Sequence, residues 1–214
     1  MLKVDKEDFM PQKIATDRNI QYLFHFTRSS NLSSILTHGI IPRGTLQLSN
    51  TPFTFNDTER FDRRENRTCL SISFPNCKML CQMMANFPND DWAVIRLKPS
   101  ILWQNDCLFT ETNAAKAYIR DTPDATLKGR VALEKLFANE ELRKQSGRKE
   151  HETTDVQAEV LVSGIIPITE IIDLNFHYKS RLKDFKSLDA LSGRFQTFKW
   201  QFNPDYFYQR KDNG

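Results

Sequence analysis

Glycine is scarce in this 214-residue chain, with only 7. That argues against a Gly-rich phosphate loop as the centre of its chemistry. Cysteine is limited to Cys69, Cys77, Cys81 and Cys107. Cys77 and Cys81 stand four apart in a helical-looking segment, no second pair has zinc-finger spacing, and no histidine lies near enough to complete a finger. The plain expectation is free, buried thiols in a reduced, cytoplasmic protein. Met1 to Pro11 is charged and has no apolar run of the signal-peptide kind. No stretch approaches the roughly 20 apolar residues that cross a bilayer, so no membrane partner is expected. Charge of one sign is lacking too: 30 Lys and Arg against 27 Asp and Glu leave +3, too little by itself to declare a nucleic-acid partner. Internal repeats and low-complexity tracts are absent.

What is present fits an ordinary soluble domain, with 39% apolar and 27% charged residues. No composition break divides the chain, so a single domain over 1–214 is expected. Residues 1–19 read as a short lead-in helix or arm. Residues 20–26 (IQYLFHF) have strand composition. Ser29 or Ser30 then suits the cap of a helix carrying Leu32, Ile35 and Leu36, which Gly39 ends. Cys69–Phe74 alternates as a strand does, Pro75 breaks it, and Asn76 is placed to cap a Met-rich helix. Trp92–Leu97 reads as a third strand, Val156–Val162 as a fourth and Ile168–Asp173 as a further one. Residues 139–155 (NEELRKQSGRKEHETTD) read as loop. Strands and helices interleave irregularly, which favours an α+β domain with a mixed or antiparallel sheet over a doubly wound one.

Two residues sit oddly in this pattern. His25 interrupts a run of Tyr, Leu and Phe, and alternation groups it with Leu23 and Thr27, opposite Tyr22, Phe24 and Phe26. Glu159 interrupts Val156–Val162, sharing a face with Gln157 and Leu161. A carboxylate in an apolar strand is costly unless paired or wet. Either this is an edge strand with a solvated polar face or it is a site. For His25 the corresponding alternatives are a core imidazole satisfied by a backbone carbonyl and a ligand contact.

Three stretches in order, LFHFTRSSNLSSILTHGI (23–40), DTERFDRRENRTCLSISFPNCKM (57–79) and QAEVLVSGIIP (157–167), resemble the DarT family of nucleic-acid ADP-ribosyltransferases. Together they reach across about two-thirds of the chain, residues 21–167. The resemblance implies an ADP-ribosyltransferase-like fold, with split β-sheets flanked by helices. It implies transfer of ADP-ribose from NAD, used as a substrate and without a metal, to a nucleobase in single-stranded DNA. The resemblance implies a toxin of a toxin–antitoxin or phage-defence system, with an ADP-ribosyl hydrolase as the cognate antitoxin. Matched residue by residue, His25, Thr27, Asn31 and Gly39 fall in the NAD pocket. Arg60 matches the arginine that contacts phosphate and assists transfer, with Arg63 and Arg64 as neighbours within one turn of that assignment. Glu159 matches the catalytic glutamate, and Gln157 the acceptor-facing position. The chain departs from the family pattern at Arg63, where glycine is usual.

The chemistry suits these residue types. Breaking the bond from nicotinamide to ribose builds oxocarbenium-like charge, which a carboxylate stabilises. An arginine fork matches pyrophosphate, and a neutral imidazole offers one donor and one acceptor. For the acceptor, the loop Arg143–Lys149 supplies Arg143, Lys144, Arg148 and Lys149 with nothing apolar competing. The segment from His177 onward holds eight Lys or Arg against four Asp, interleaved with aromatics such as Phe185, Phe195, Trp200 and Tyr208. That mixture suits a single strand, or else aromatics buried in the core. RNA or a protein side chain as acceptor, and a non-catalytic binding module, are the competing readings.

Overall fold

The structure is a computed structural model that describes residues 11–49, 53–54, 61–179 and 198–210. Helix α1 (Pro11–Asp17) leads into strand β1 (Leu23–Arg28). A single tight turn, Ser29–Asn31, precedes α2 (Leu32–His38); no serine side chain caps it, and Asn31 holds the cap position. Helix α3 (Arg43–Gln47), strand β2 (Arg67–Ile72), helix α4 (Cys77–Asn86) and strand β3 (Trp92–Leu97) follow. Asn76 caps α4 as expected, its side-chain oxygen accepting the Met79 N–H at 3.1 Å. Then come α5 (Ile101–Gln104), β4 (Cys107–Thr110), α6 (Ala117–Arg120), α7 (Gly129–Lys135) and α8 (Glu140–Gln145). Strands β5 (Glu159–Ser163), β6 (Ile171–Phe176) and β7 (Lys199–Phe202) complete the order. The expected loop over 139–155 therefore contains a helix, α8, capped by the Asn139 side chain.

The described strands form one seven-stranded sheet in the order β4-β5-β2-β1-β3-β6-β7. All neighbours run antiparallel except β6 and β7. The sheet is split at its centre. Strand β1 pairs with β3 along its whole length, from Leu23 opposite Leu97 to Arg28 opposite Trp92. Against β2 it keeps only two pairs, Leu23 with Ile72 and Phe24 with Ser71. Beyond Phe24 the two strands part.

Packing follows the split. One face of the sheet carries a continuous core, in which Leu23, Ile95, Val160 and Val162 meet Ile14, Leu32, Ile35 and Leu133 from the helices. On the other face the core is divided. Phe24 and Val94 pack against Leu80 and Met83 of α4 and against Phe207, while Leu161 packs with Leu108, Ala114, Ile119 and Leu127. The alternation read from the sequence holds: Leu23 lies in the first core and Phe24 in the second. Strand β5 lies between β4 and β2, so it is no edge strand, and its polar residue Glu159 is buried. Of the C-terminal aromatics, Phe198 and Trp200 pack on the main core and Tyr206 on the second, whereas Phe202 and Tyr208 stay exposed. Phe185 and Phe195 lie outside the described residues.

Candidate active site

A cleft of about 500 Å³ occupies the gap between β1 and β2 and is lined from both faces of the sheet. His25, Thr27, Asn31 and Gly39 line it from the first strand and helix; Gln157 and Glu159 line it from β5 and the turn before it. Residues that the sequence separates by more than a hundred positions thus share one cavity.

His25 stands where the ladder fails. Its Nδ1 meets the Cys69 carbonyl of β2 at 3.0 Å. A carbonyl only accepts, so Nδ1 carries the proton in this arrangement. The imidazole is therefore both a carbonyl-satisfied residue and a cleft-lining one. Two residues along, the Thr27 hydroxyl accepts from Asn31 Nδ2 at 3.0 Å. Asn31 also grips the backbone of Thr54, donating to its carbonyl and accepting its N–H, both at 2.8 Å. One amide hydrogen of Asn31 thus goes to Thr27 and the other to Thr54, so the side chain ties Thr54 to the cleft wall. Gly39 ends α2 with φ +83°, and a Cβ there would stand 2.4 Å from the Ile166 carbonyl oxygen. Both the backbone angle and the close approach require glycine.

Glu159 is 6% exposed and begins β5 opposite Thr110. Its Oε2 accepts the Ala114 N–H at 3.1 Å. A buried carboxylate needs such partners to remain charged. Gln157 sits in the turn ahead of the strand rather than on it, because its backbone N–H is taken by Asp155 at 2.8 Å. Its side chain still faces the cleft with that of Glu159.

The arginine-rich run divides. Arg60 lies outside the described residues. Arg64 is buried and bonds the Asp124 carboxylate and the Thr122 carbonyl, both at 2.9 Å. Arg63 faces Asp121 at 3.8 Å, and neither arginine lines the cleft, although Phe61 and Asp62 do. Arg63 adopts φ +58°, the left-handed conformation that glycine would take without strain. The loop therefore keeps a glycine-like backbone with a side chain that pays roughly 1–2 kcal/mol for it.

The cationic loop divides too. Arg143 is 3% exposed and donates to the carbonyls of Glu152 and Lys149 at 2.6 and 2.9 Å. It is a scaffold for its own loop, not a wet phosphate contact. Lys144 and Lys149 are exposed and Arg148 is half-buried. None of these four lines the cleft itself. Arg210 approaches the same loop, donating to the Thr153 carbonyl at 3.4 Å. Burial, and then the charge of Arg148, push its pKa down to about 10.

Sequence reasoning missed several cleft residues. Ser71 lies within β2, Asn76 follows it in the SFPN segment, and Met79 and Met83 of α4 supply an apolar wall. Their helical spacing signalled a core face, and Met83 belongs to that core as well. Asn113 and Ala115, in the turn after β4, carried no signal at all. Among the described residues no group of His, Cys, Asp and Glu is arranged to hold a metal ion, and no helix is long and apolar enough to cross a membrane.

A sheet split at its centre, with an imidazole and a buried carboxylate across the resulting cleft, is an ADP-ribosyltransferase-like fold. The profile of the family described as ssDNA thymidine ADP-ribosyltransferase, DarT, matches residues 24–208. The chain belongs to the DarT family. Among solved structures it is similar to Thermosipho africanus DarTG in complex with ADP-ribose, at 16% identity and a TM-score of 0.61. That match covers 87% of this chain but 51% of the other, so the chain spans about half of its length. It is similar as well to Thermus sp. 2.9 DarT in complex with NAD+, at 12% identity and a TM-score of 0.59, over 88% of this chain and 98% of that one. The same Thermus protein in complex with ADP-ribosylated ssDNA matches at 12% identity and a TM-score of 0.62, over 89% and 97%. At these identities the likeness is one of fold. No curated protein sequence matches the chain.

Proposed function

We propose that this protein transfers ADP-ribose from NAD⁺ to a nucleobase of single-stranded DNA, releasing nicotinamide, and that the base is thymine, the one in the family's description. The observation that carries the reading is Glu159: a carboxylate buried in a mid-sheet strand, held by a backbone N–H, on the same cleft as His25.

The reaction follows from the residue chemistry. The bond from ribose C1″ to the nicotinamide nitrogen breaks, and its electron pair leaves with nicotinamide. Positive charge develops on the sugar, and the Glu159 carboxylate stabilises it. A base nitrogen held within about 3–3.5 Å forms the new bond to C1″ and sheds its proton, which Glu159 accepts. His25, Thr27, Asn31 and Gly39 form the NAD⁺ side, Asn31 by holding residues 53–54 in place. Arg60, assigned by its match to the family motif, contacts phosphate. Gln157 faces the acceptor, and Lys144, Arg148 and Lys149 draw in its backbone charge. The protein acts in the cytoplasm as a toxin, and an ADP-ribosyl hydrolase that removes the modification is its antitoxin partner.

The test is mass spectrometry of short oligonucleotides of each base, as DNA and as RNA, after incubation with NAD⁺. The expected result is a gain of one ADP-ribose on thymidine-containing DNA. Labelling confined to RNA or to protein would replace the acceptor. Glu159→Gln keeps the shape and removes the charge, so transfer should fall by about 10²-fold or more while NAD⁺ still binds. Near-normal labelling by that variant would refute the role given to Glu159.

A further inference from the structure

Strands β4 and β5 pair as far as Thr110 opposite Glu159, and beyond that point their chains diverge. The segment after β4 runs through Thr112, Asn113 and Ala114; the segment before β5 runs through Asp155, Gln157 and Ala158. Each delivers one element of the acceptor side. Ala114 gives the N–H that holds Glu159 Oε2, and Gln157 gives the side chain beside it in the cleft.

One carboxylate spans the divergence. Asp155 Oδ2 accepts the Thr112 hydroxyl at 2.6 Å, and Oδ1 accepts the Gln157 N–H at 2.8 Å. Its backbone carbonyl accepts the Thr153 hydroxyl at 2.8 Å and the Ala158 N–H at 3.0 Å. On the far side, the Thr112 carbonyl accepts the Thr110 hydroxyl at 2.8 Å. Thr110, Thr112 and Thr153 are all buried. A hydroxyl buried against a carboxylate at 2.6 Å makes a strong, charge-assisted bond with little freedom of angle. The positions of Ala114 and Gln157 are thus set by the same side chain.

We propose that Asp155 is a positioning residue for ADP-ribose transfer, clamping the segment that holds Glu159 to the segment that presents Gln157. The proposal rests on the transferase reading above. It touches neither NAD⁺ nor the acceptor. Its effect is on which nucleophile reaches C1″: with the clamp in place the acceptor base attacks, and with the clamp released water enters and gives free ADP-ribose and a proton. A misplacement of about 1 Å at a reacting group costs on the order of 10²-fold in rate.

The test uses the full chain with NAD⁺ and a thymidine-containing DNA oligonucleotide. It measures nicotinamide release and labelled DNA in the same reaction. Asp155→Ala should lower kcat for transfer about 10²-fold and leave the KM for NAD⁺ within about twofold, since misaligning Glu159 and Gln157 weakens their contacts with the transition state and not the binding of NAD⁺. The share of consumed NAD⁺ that ends on DNA should fall. Asp155→Asn should recover most of the loss, because Oδ1 still accepts from Gln157 and Nδ2 donates to the Thr112 hydroxyl. Thr112→Val should reproduce part of the Asp155→Ala effect, and Thr112→Ser should not. The partition between DNA and water is independent of how much protein has folded, so a purely structural role would leave it unchanged. An unchanged partition in both Asp155→Ala and Thr112→Val overturns the proposal, whatever their thermal stability. A wild-type protein that consumes no NAD⁺ overturns the transferase reading itself, and this proposal with it.

Discussion

His25 and Cys69 are joined at the point where the central strands separate, the imidazole Nδ1–H donating to the Cys69 carbonyl at 3.0 Å. The strand pairing ends one residue earlier, at Phe24 and Ser71. The side chain therefore continues the bonding between β1 and β2 after the backbones have moved apart, and this keeps the gap at a fixed width. Replacing His25 by Ala removes both the bond and a wall of the cleft. The expected outcome is a KM for NAD⁺ raised about 10–100-fold, equivalent to roughly 1.4–2.8 kcal/mol. Glutamine, whose amide can donate to the same carbonyl, should recover part of it. Steady-state kinetics over a range of NAD⁺ concentrations decide the matter; an unchanged KM in His25→Ala would remove the imidazole from the NAD⁺ side.

The cations of the 143–149 loop should separate into two classes on substitution. Arg143 is buried among the carbonyls of its own loop. Arg143→Ala leaves those carbonyls unpaired, at a cost of about 1–3 kcal/mol, and should lower Tm by several degrees. Lys144 and Lys149 are exposed, and their removal should leave Tm within about a degree. Each one that contacts a phosphate should reduce the slope of log K against log salt by about 0.7 for single-stranded DNA. Fluorescence anisotropy of a labelled oligonucleotide at several salt concentrations reads this. A Lys144→Ala, Lys149→Ala double variant with the wild-type slope would place the strand elsewhere.

The parts of this molecule legible in its sequence are those where one residue type violates its surroundings. His25 and Glu159 stood out as polar groups in apolar strands, and the fold brings both to one cleft. Strand β3 runs over Trp92–Leu97, the expected span, because an unbroken apolar stretch ends before Pro99. Strand β4 gave no signal, since four buried residues, Cys107–Thr110, neither alternate nor exceed a helical turn in length. Helix α8 lay hidden because Arg143 is buried by hydrogen bonding rather than by apolar contact, which leaves no hydrophobic period to read. Strand β5 begins at Glu159 instead of Val156 because the Asp155 carbonyl and carboxylate occupy the N–H groups of Ala158 and Gln157. Asp155, Thr112 and Ala114 are ordinary loop residues until the fold sets them beside Glu159. No spacing along the chain encodes that meeting.

His177 stacks on Phe207, with ring centroids 5.1 Å apart and planes within 14°, and its Nε2 lies 3.1 Å from the Tyr208 hydroxyl. Burial holds its pKa below the ordinary 6.5. His151 is shifted the same way, by burial first and then by the charges of Lys149 and Arg210. For a base whose folded pKa is depressed, the unfolded chain takes up the proton first. Stability is then complete above the unfolded value of about 6.5 and declines as pH falls below it. Asp106 responds in the same direction but in a lower window: the Lys128 bond, aided by Arg67, holds its carboxyl below 3.8, so its contribution is present above that value and is lost only in stronger acid. The two windows do not overlap. Tm measured by circular dichroism should therefore decline between pH 7.5 and 5.5, before the carboxylates titrate. His177→Phe preserves the ring stack and abolishes one of the two titrations, so its Tm should decline less over the same interval. An identical slope in that variant would show that protonation of His177 carries none of the acid sensitivity.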